Sequence, residues 1–427
     1  MTMRLVPAMF ITAGVALAQI PAKATQDQIT FTKDIAPILQ RSCQNCHRAE
    51  SMAPMSLVTY QEARPWAKSI KQKVVQREMP PWFVDKNVGI RKFKDDPSLT
   101  DKEVATIAAW VDSGAPEGNP ADMPPPRKFE DVDKWHIGTP DLIVSMPVSF
   151  TVKPENSDWW GNFISDSGLT EDRYIKAVET KPSPGGGVKV VHHAVTSLVS
   201  DDGGTEGGTL NEYAVGKNGD IYPDGAGKLM KAGSRIRFNM HYHAVGREIV
   251  DRSQVAFVFY PKGYVPKHVM TTVLSPNNDD LDIPAGADNV RSDAYFKLDK
   301  ATRLTSYMPH MHNRGKAQCI EAIYPNMTVQ TLNCVSHYNF GWQIVYNYAD
   351  DVAPLLPAGT IIHQTSWHDN STKNPWNPDP RNWVGFGNRT SDDMSRLWLN
   401  YYTLSDEEFK AEVAARKAKQ GNLTSQR

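Results

Sequence analysis

Cysteine is scarce, with four in 427 residues. That excludes a disulfide-dense secreted scaffold and leaves each cysteine to be explained one by one. Net charge is almost absent as well, at −1 from 47 Lys+Arg and 48 Asp+Glu. A near-neutral chain is not built for a polyanion, so nucleic acid is excluded as an expected partner. After the N-terminal stretch no apolar run is long enough to span a bilayer, so no membrane span is expected. The N-terminus itself is different. Met3-Arg4 precedes an apolar run from Leu5 to Ala18, with small-x-small sites at Ala16-Leu17-Ala18 and Ala22-Lys23-Ala24. This is the layout of a secretory signal peptide over residues 1–24. The mature protein is expected in a bacterial periplasm or secreted, where disulfides are permitted.

Two of the four cysteines lie in Cys43-Gln44-Asn45-Cys46-His47. This is the attachment pattern for haem c: two thiols make thioether links, and the adjacent His47 supplies an axial imidazole to iron. The flanking sequence reads as helical. Phe31 to Leu39 enters the motif, and Ala63 to Arg77 follows with Pro65 in its first turn. Thr100 then caps a third helix whose apolar face is Val104, Ile107, Ala108 and Val111. Met52, Met55 and Met79 are candidates for the second axial ligand. Met79 is preferred because Glu78-Met79-Pro80-Pro81-Trp82 stiffens an extended loop. By this pattern residues 25–126 resemble a small class I cytochrome c domain. The Pro-rich run from Pro116 to Pro126 closes it as a linker.

Beyond residue 127 the pattern changes. Short β-rich runs recur, such as Asp141 to Val152, Val188 to Val199, Arg235 to Val245, Gln254 to Tyr260 and Ala317 to Tyr324. Gly, Asn, Asp and Pro separate them, which indicates β-sandwiches, two rather than one at this length. The fold class is therefore mainly β with a small all-α domain. Cys319 and Cys334 test this reading. With Asn326-Met327 as a two-residue turn, the two cysteines face each other across a hairpin and are expected to form a disulfide.

Three histidine clusters lie in this region. His310-x-His312 places two imidazoles on one face of a strand. Met394, in Ser391-Asp392-Asp393-Met394, offers a soft thioether that would favour copper over zinc. His192-His193 and His241-Tyr242-His243 lie upstream. Adjacent residues of a regular strand point to opposite faces, so His192 and His193 share a metal only if the backbone bends. With His241 they make a three-imidazole set suited to Cu(II) or zinc. His243, two residues beyond His241, is a possible extra ligand or a hydrogen-bonding neighbour. Trp376, Trp383, Trp398 and Phe386 are either sandwich core or the walls of a substrate pocket. Glu321, His337, His363 and His368 are candidates for groups that orient the ligands.

The order of these motifs resembles the copper type II, ascorbate-dependent monooxygenases, the family of peptidylglycine α-hydroxylating monooxygenase and dopamine β-monooxygenase. The resemblance spans residues 130–405. It implies two jelly-roll-like sandwiches, residues 127–270 and 271–427, each carrying one copper. It implies that His192, His193 and His241 hold an electron-transfer copper, and that His310, His312 and Met394 form the catalytic site. The activity implied is hydroxylation of a C–H bond in a small organic substrate with O2. The haem domain would feed electrons from an external donor, ascorbate or a redox protein. The departures are specific. Met308 stands where the peptide enzyme has a carboxylate-binding Arg, and Arg396 and Trp398 stand where it has Asn and Tyr. A glycine-extended peptide is therefore not the expected substrate. The alternative is a periplasmic haem–copper electron-transfer or copper-handling protein without oxygenase activity.

Overall fold

The computed structural model describes residues 28–424, except 50, 52, 130–133, 156–157, 185, 200–207, 215–218, 276–279 and 388. The expected signal peptide and Met52 lie outside the described residues. The architecture is mainly β, with most helices gathered at the N-terminus, a single helical turn at Gly187–Val190 and one helix at the C-terminus. No described helix is long and apolar enough to cross a membrane.

The N-terminal helices are α1 (Ala36–Ser42), α2 (Ala67–Val75) and α3 (Asp101–Asp112). A π-helical turn, Phe31–Ile35, precedes α1, and a 3-10 turn at Arg64–Trp66 accommodates Pro65 before α2. Thr100 and Glu103 form a reciprocal capping box at the start of α3, which satisfies two backbone donors that the helix cannot. Ile107 and Trp110 are the residues that α3 buries fully, against Phe31, Ile35 and Leu39. Gly114, at φ +92°, ends the helix in the left-handed region. The Pro-rich stretch lies back across the helices. Its Pro116 and Glu117 carbonyls accept from Phe31 and Thr32, and the Trp110 indole donates to Pro116 as well.

The first sandwich contains β1 (Leu142–Ser145), β2 (Trp159–Asp166), β3 (Arg173–Lys181), β4 (Val191–Val199), β5 (Thr209–Ala214), β6 (Ala226–Met230), β7 (Arg235–Tyr242) and β8 (Gln254–Phe259). One sheet runs β1-β8-β3-β6 and ends on His268–Val269, with Asp220–Ile221 also paired to β3. The other runs β2-β7-β4-β5. Their inner faces, including Val178, Phe238, Met240, Tyr242 and Phe257, form one core.

The second sandwich contains β9 (Thr271–Leu274), β10 (Val290–Lys297), β11 (Thr302–His310), β12 (Gly315–Ile323), β13 (Val329–Val335), β14 (Ile361–His368) and β15 (Arg396–Thr403). Its main sheets run β9-β15-β11, extended by Tyr346–Asn347, and β10-β14-β12-β13. The helix α4 (Asp406–Thr424) follows β15. This sandwich takes part of its core from the N-terminal region. Val84 and Phe93 are buried with Leu304, Tyr307 and Tyr346, and Trp82 packs edge-on against Tyr346 at 4.9 Å.

The Cys319–Cys334 disulfide is formed, and the two residues are directly paired across β12 and β13. The turn is not the expected two-residue one. Tyr324 N–H donates to Thr328, so Pro325, Asn326 and Met327 form the loop, with Met327 at φ +65°. A bulge between Ile320 and Glu321 restores the register that faces cysteine to cysteine. The residue it leaves over on β13 is Leu332, whose carbonyl accepts from Ile90. Gly89 comes so near that a Cβ there would meet this carbonyl at 1.9 Å, so no larger residue fits.

Candidate metal and haem sites

The first histidine cluster lies where β4 and β7 pair. His193 faces His241, but Val191 faces Tyr242, so His192 is the extra residue of a bulge. This is the backbone bend needed to bring neighbouring histidines to one place. Ring centroids are 5.6 Å apart for His192–His193, 4.7 Å for His192–His241 and 5.1 Å for His193–His241. His243 lies 5.8 Å from His192. Trp160 stacks on His241 at 3.8 Å and meets His193 edge-on at 4.7 Å.

Burial and the crowding of other imidazoles hold His193 well below the usual imidazole range, and bring His241 down to about 4. His192 is lowered by the same causes. These rings are neutral at pH 7, the protonation state that metal ligation requires. The Nδ1 atoms of His193, His241 and His243 are buried without a hydrogen-bond partner. Orphaned buried nitrogens are costly and call for an occupant. Asp158 meets Nε2 of His241 at 3.1 Å, an orienting contact of the kind that fixes a ligand's tautomer.

The second cluster follows β11. His310 ends the strand, and its Nδ1 donates to Gln343 Oε1 at 2.9 Å. Nδ1 of His312 donates to the Asp392 carbonyl at 3.2 Å. In both rings this leaves Nε2 as the nitrogen with a lone pair for a metal. The rings are 5.5 Å apart and nearly perpendicular. Burial, then the charge of His312, lowers His310 to about 4.

Met394 is tied to this pair through Asp393. The fully buried carboxylate accepts from the backbone N–H groups of His312, Arg314 and Met394 at 2.9, 3.0 and 2.8 Å. His368 Nε2 donates to the Met394 carbonyl at 3.0 Å. Glu321 and His363 pair instead with each other and with Asp293, in a separate network. Trp376 and Trp383 are exposed, whereas half-buried Trp398 and buried Met308 line a small cleft with Asn211, Glu212, Asp220 and Thr272.

Cys43 and Cys46 form no disulfide, and both are half-buried. His47 Nδ1 donates to the Met55 carbonyl at 3.2 Å, so its Nε2 keeps a lone pair suited to iron. Cys43 and Met55 pack against the same helical core. Met79 lies at the exit of α2, half-buried, where the chain turns toward the second sandwich.

Among the described residues no group of three or more His, Cys, Asp or Glu side chains stands as a complete metal-ligating set. The reason is visible in the first cluster. His192 and His241 lie stacked with their planes 15° apart, so a shared ion requires ring rotation. The second cluster counts two histidines and a thioether. Residue type and the orphaned nitrogens of the first cluster are of the kind that ligate a metal ion, and the ring orientations set what must turn.

The sequence did not single out Asp158, Trp160, Gln343 or Phe340. They sit in loops or neighbouring strands far from the histidines in sequence, and only the fold assembles them. Asp393 had a signal, since it stands beside Met394 in the acidic motif.

No protein-family model matches the chain, and no curated protein matches it. Among solved structures PNGF-II is 10% identical, covering 61% of this chain and 65% of that one, with a TM-score of 0.26. An archaeal-virus turret protein with a triple jelly roll is 10% identical over 62% of this chain and 59% of that one, with a TM-score of 0.16. Allantoicase is 12% identical over 52% of this chain and 78% of that one, also at 0.16. The chain thus spans less than two thirds of the first two. Scores this low define no shared fold.

Proposed function

We propose that the protein is an exported haem- and copper-dependent monooxygenase that hydroxylates a C–H bond of a small organic substrate. The observation that carries the reading is the set of neutral, buried imidazoles with orphaned Nδ1 atoms in the first cluster. His192, His193 and His241 would hold one copper, with His243 as a further donor. His310, His312 and Met394 would hold the other, and Cys43, Cys46 and His47 a covalent haem. Copper and haem when bound supply one-electron steps and a place for O2. Each turnover takes two electrons and two protons; one oxygen atom enters the new C–OH bond and the other leaves as water.

The protein's own residues set the rest. Gln343 and the Asp392 carbonyl hold the rings of His310 and His312 by Nδ1, and Asp393 ties the His312 backbone to Met394. Met308 and Trp398 give an apolar wall and no cation. The buried Arg396 donates to the Ser275 carbonyl and lies against Phe386. The reading therefore disfavours a carboxylate substrate, since Glu212 and Asp220 line the same cleft. The test is spectroscopic. Reduced haem in copper-loaded protein should reoxidise on adding O2, with O2 consumed, and faster than in copper-free protein. If copper makes no difference, the oxygenase reading fails. The second reading, electron transfer without oxygen chemistry, draws on Phe340, whose ring centroid lies 5.8 Å from those of both His192 and His312. It predicts haem reoxidation by copper with no O2 consumption.

A further inference from the structure

Between α2 and α3 the chain makes an excursion along the second sandwich. Asp85 N–H donates to the Cys334 carbonyl and Ile90 N–H to that of Leu332, both at 2.8 Å, and Lys94 N–H donates to the Asn347 carbonyl at 2.8 Å. Val84 and Phe93 form isolated bridges to Val335 and Tyr348. Both ends of the excursion are thereby fixed to the sandwich, so the space it encloses is preorganised.

That space is a cavity of about 210 Å³ between the excursion and the residues that lead into α3. Trp82, Val84 and Phe93 line it, with the Trp82 and Phe93 rings edge-on at 5.9 Å. Val84 and Phe93 are buried and Trp82 is half-buried. Asp85, Lys86, Arg91 and Asp96 line the rest, together with Ser98. Lys86, Arg91 and Asp96 are exposed, so the cavity has an apolar floor and a charged mouth. It shares no lining residue with the cleft at Met308 and Trp398.

The charge that the mouth accepts follows from which groups are already engaged. Asp85 accepts from the Ser336 hydroxyl, and Asp96 accepts from Ser98 N–H at 2.7 Å. Lys86 donates to the Leu99 carbonyl, a neutral acceptor, and keeps two further donors. Among the described residues Arg91 makes no hydrogen bond or ion pair. Both carboxylates are thus held by the chain, and both cations have donors to give. A guanidinium is a planar fork matched to a carboxylate, and an aromatic floor suits a ring. The volume lies below the roughly 300–1,000 Å³ of pockets for drug-sized ligands, which limits the occupant to about one ring.

We infer that this cavity binds a small organic anion, a one-ring monocarboxylate, with its carboxylate on Arg91 and Lys86 and its ring against Trp82 and Phe93. The occupant would tie the excursion to the segment before α3, at the joint between the helical region and the second sandwich. The inference is independent of the metal reading, because no histidine of either cluster lines the cavity.

The experiment is calorimetric titration of the full-length holoprotein at low salt with benzoate, its neutral isostere benzamide, and inorganic phosphate. The expected result is a benzoate site whose affinity falls at least tenfold in Arg91→Gln and severalfold in Lys86→Gln. Benzamide and phosphate should each bind at least tenfold more weakly than benzoate. Asp96→Asn removes a like charge from the mouth and should tighten benzoate binding. Arg91 and Lys86 are exposed, so neither variant removes core packing. Benzoate binding unchanged in Arg91→Gln would place the carboxylate elsewhere, a metal included, and overturn the site. Phosphate binding as tightly as benzoate, with both weakened in Arg91→Gln, would overturn the ring-bearing class of ligand. Absence of benzoate binding at millimolar concentration would overturn the inference outright.

Discussion

Replacing Asp393 should reveal how much of the second sandwich depends on one buried carboxylate. Asp393 is fully buried and accepts three backbone hydrogen bonds, from His312, Arg314 and Met394, with His368 Nε2 3.4 Å away. In Asp393→Ala three N–H groups lose their acceptor and the His368 ring loses its neighbour. Each unsatisfied buried donor costs about 1–3 kcal/mol, less where water enters the space. The total is about 3–5 kcal/mol, the loss typical of breaking a buried charged pair. For a domain of this size that lowers the melting temperature by about 10 °C. Asp393→Asn keeps one acceptor oxygen and turns an NH2 toward the other donor, so it should lie between the two. Thermal unfolding followed by circular dichroism reads the effect. A shift below about 2 °C in Asp393→Ala would refute the reasoning, because it would mean the three N–H groups find other partners at no cost.

Removing the disulfide with Cys319→Ala and Cys334→Ala should cost about 3 kcal/mol, since the bridge closes a loop of separation 15 and constrains the unfolded chain; denaturant unfolding checks this. Lys228 gives a pH dependence. Its side chain is buried, with the ammonium near the Thr209 carbonyl, and burial brings it from 10.5 down to about 8 against the opposing charge of Asp220. Between those values the unfolded chain binds more protons than the folded one, so this group's contribution to stability is present above 10.5 and is lost as pH falls through about 8. Comparing the protein with Lys228→Met by urea unfolding should show a difference that changes by up to about 3 kcal/mol across that window. An unchanged difference would place the Lys228 ammonium in water.

Much of the fold is legible in the residues. Thr100 and Glu103 mark the start of α3 on paper, and the β-rich runs mark strands because alternation and turn residues leave few other options. The Cys319–Cys334 pairing also follows from hairpin logic, although the turn beneath it does not. A three-residue loop and a bulge at Leu332 cancel, and a bulge leaves no mark in the local sequence. The same blindness hides why His192 and His193 can serve one site. The pairing of β4 with β7 sets that bulge, and pairing is a long-range property. The docking of Trp82 and Phe93 into the second sandwich was hidden too, because nothing in a loop between two helices marks which core its aromatics will join. Candidate ligands are legible by residue type and spacing. Their supports, Asp158, Gln343 and Asp393, depend on which loops the fold brings together.

The most direct measurement is the metal and haem content of protein exported in a cell that attaches haem c, for the unmodified chain and Met394→Ala. The account predicts about two coppers per haem, falling by about one in Met394→Ala with the haem retained. Zinc in place of copper, no metal beyond haem iron, or an unchanged copper count in Met394→Ala would contradict it.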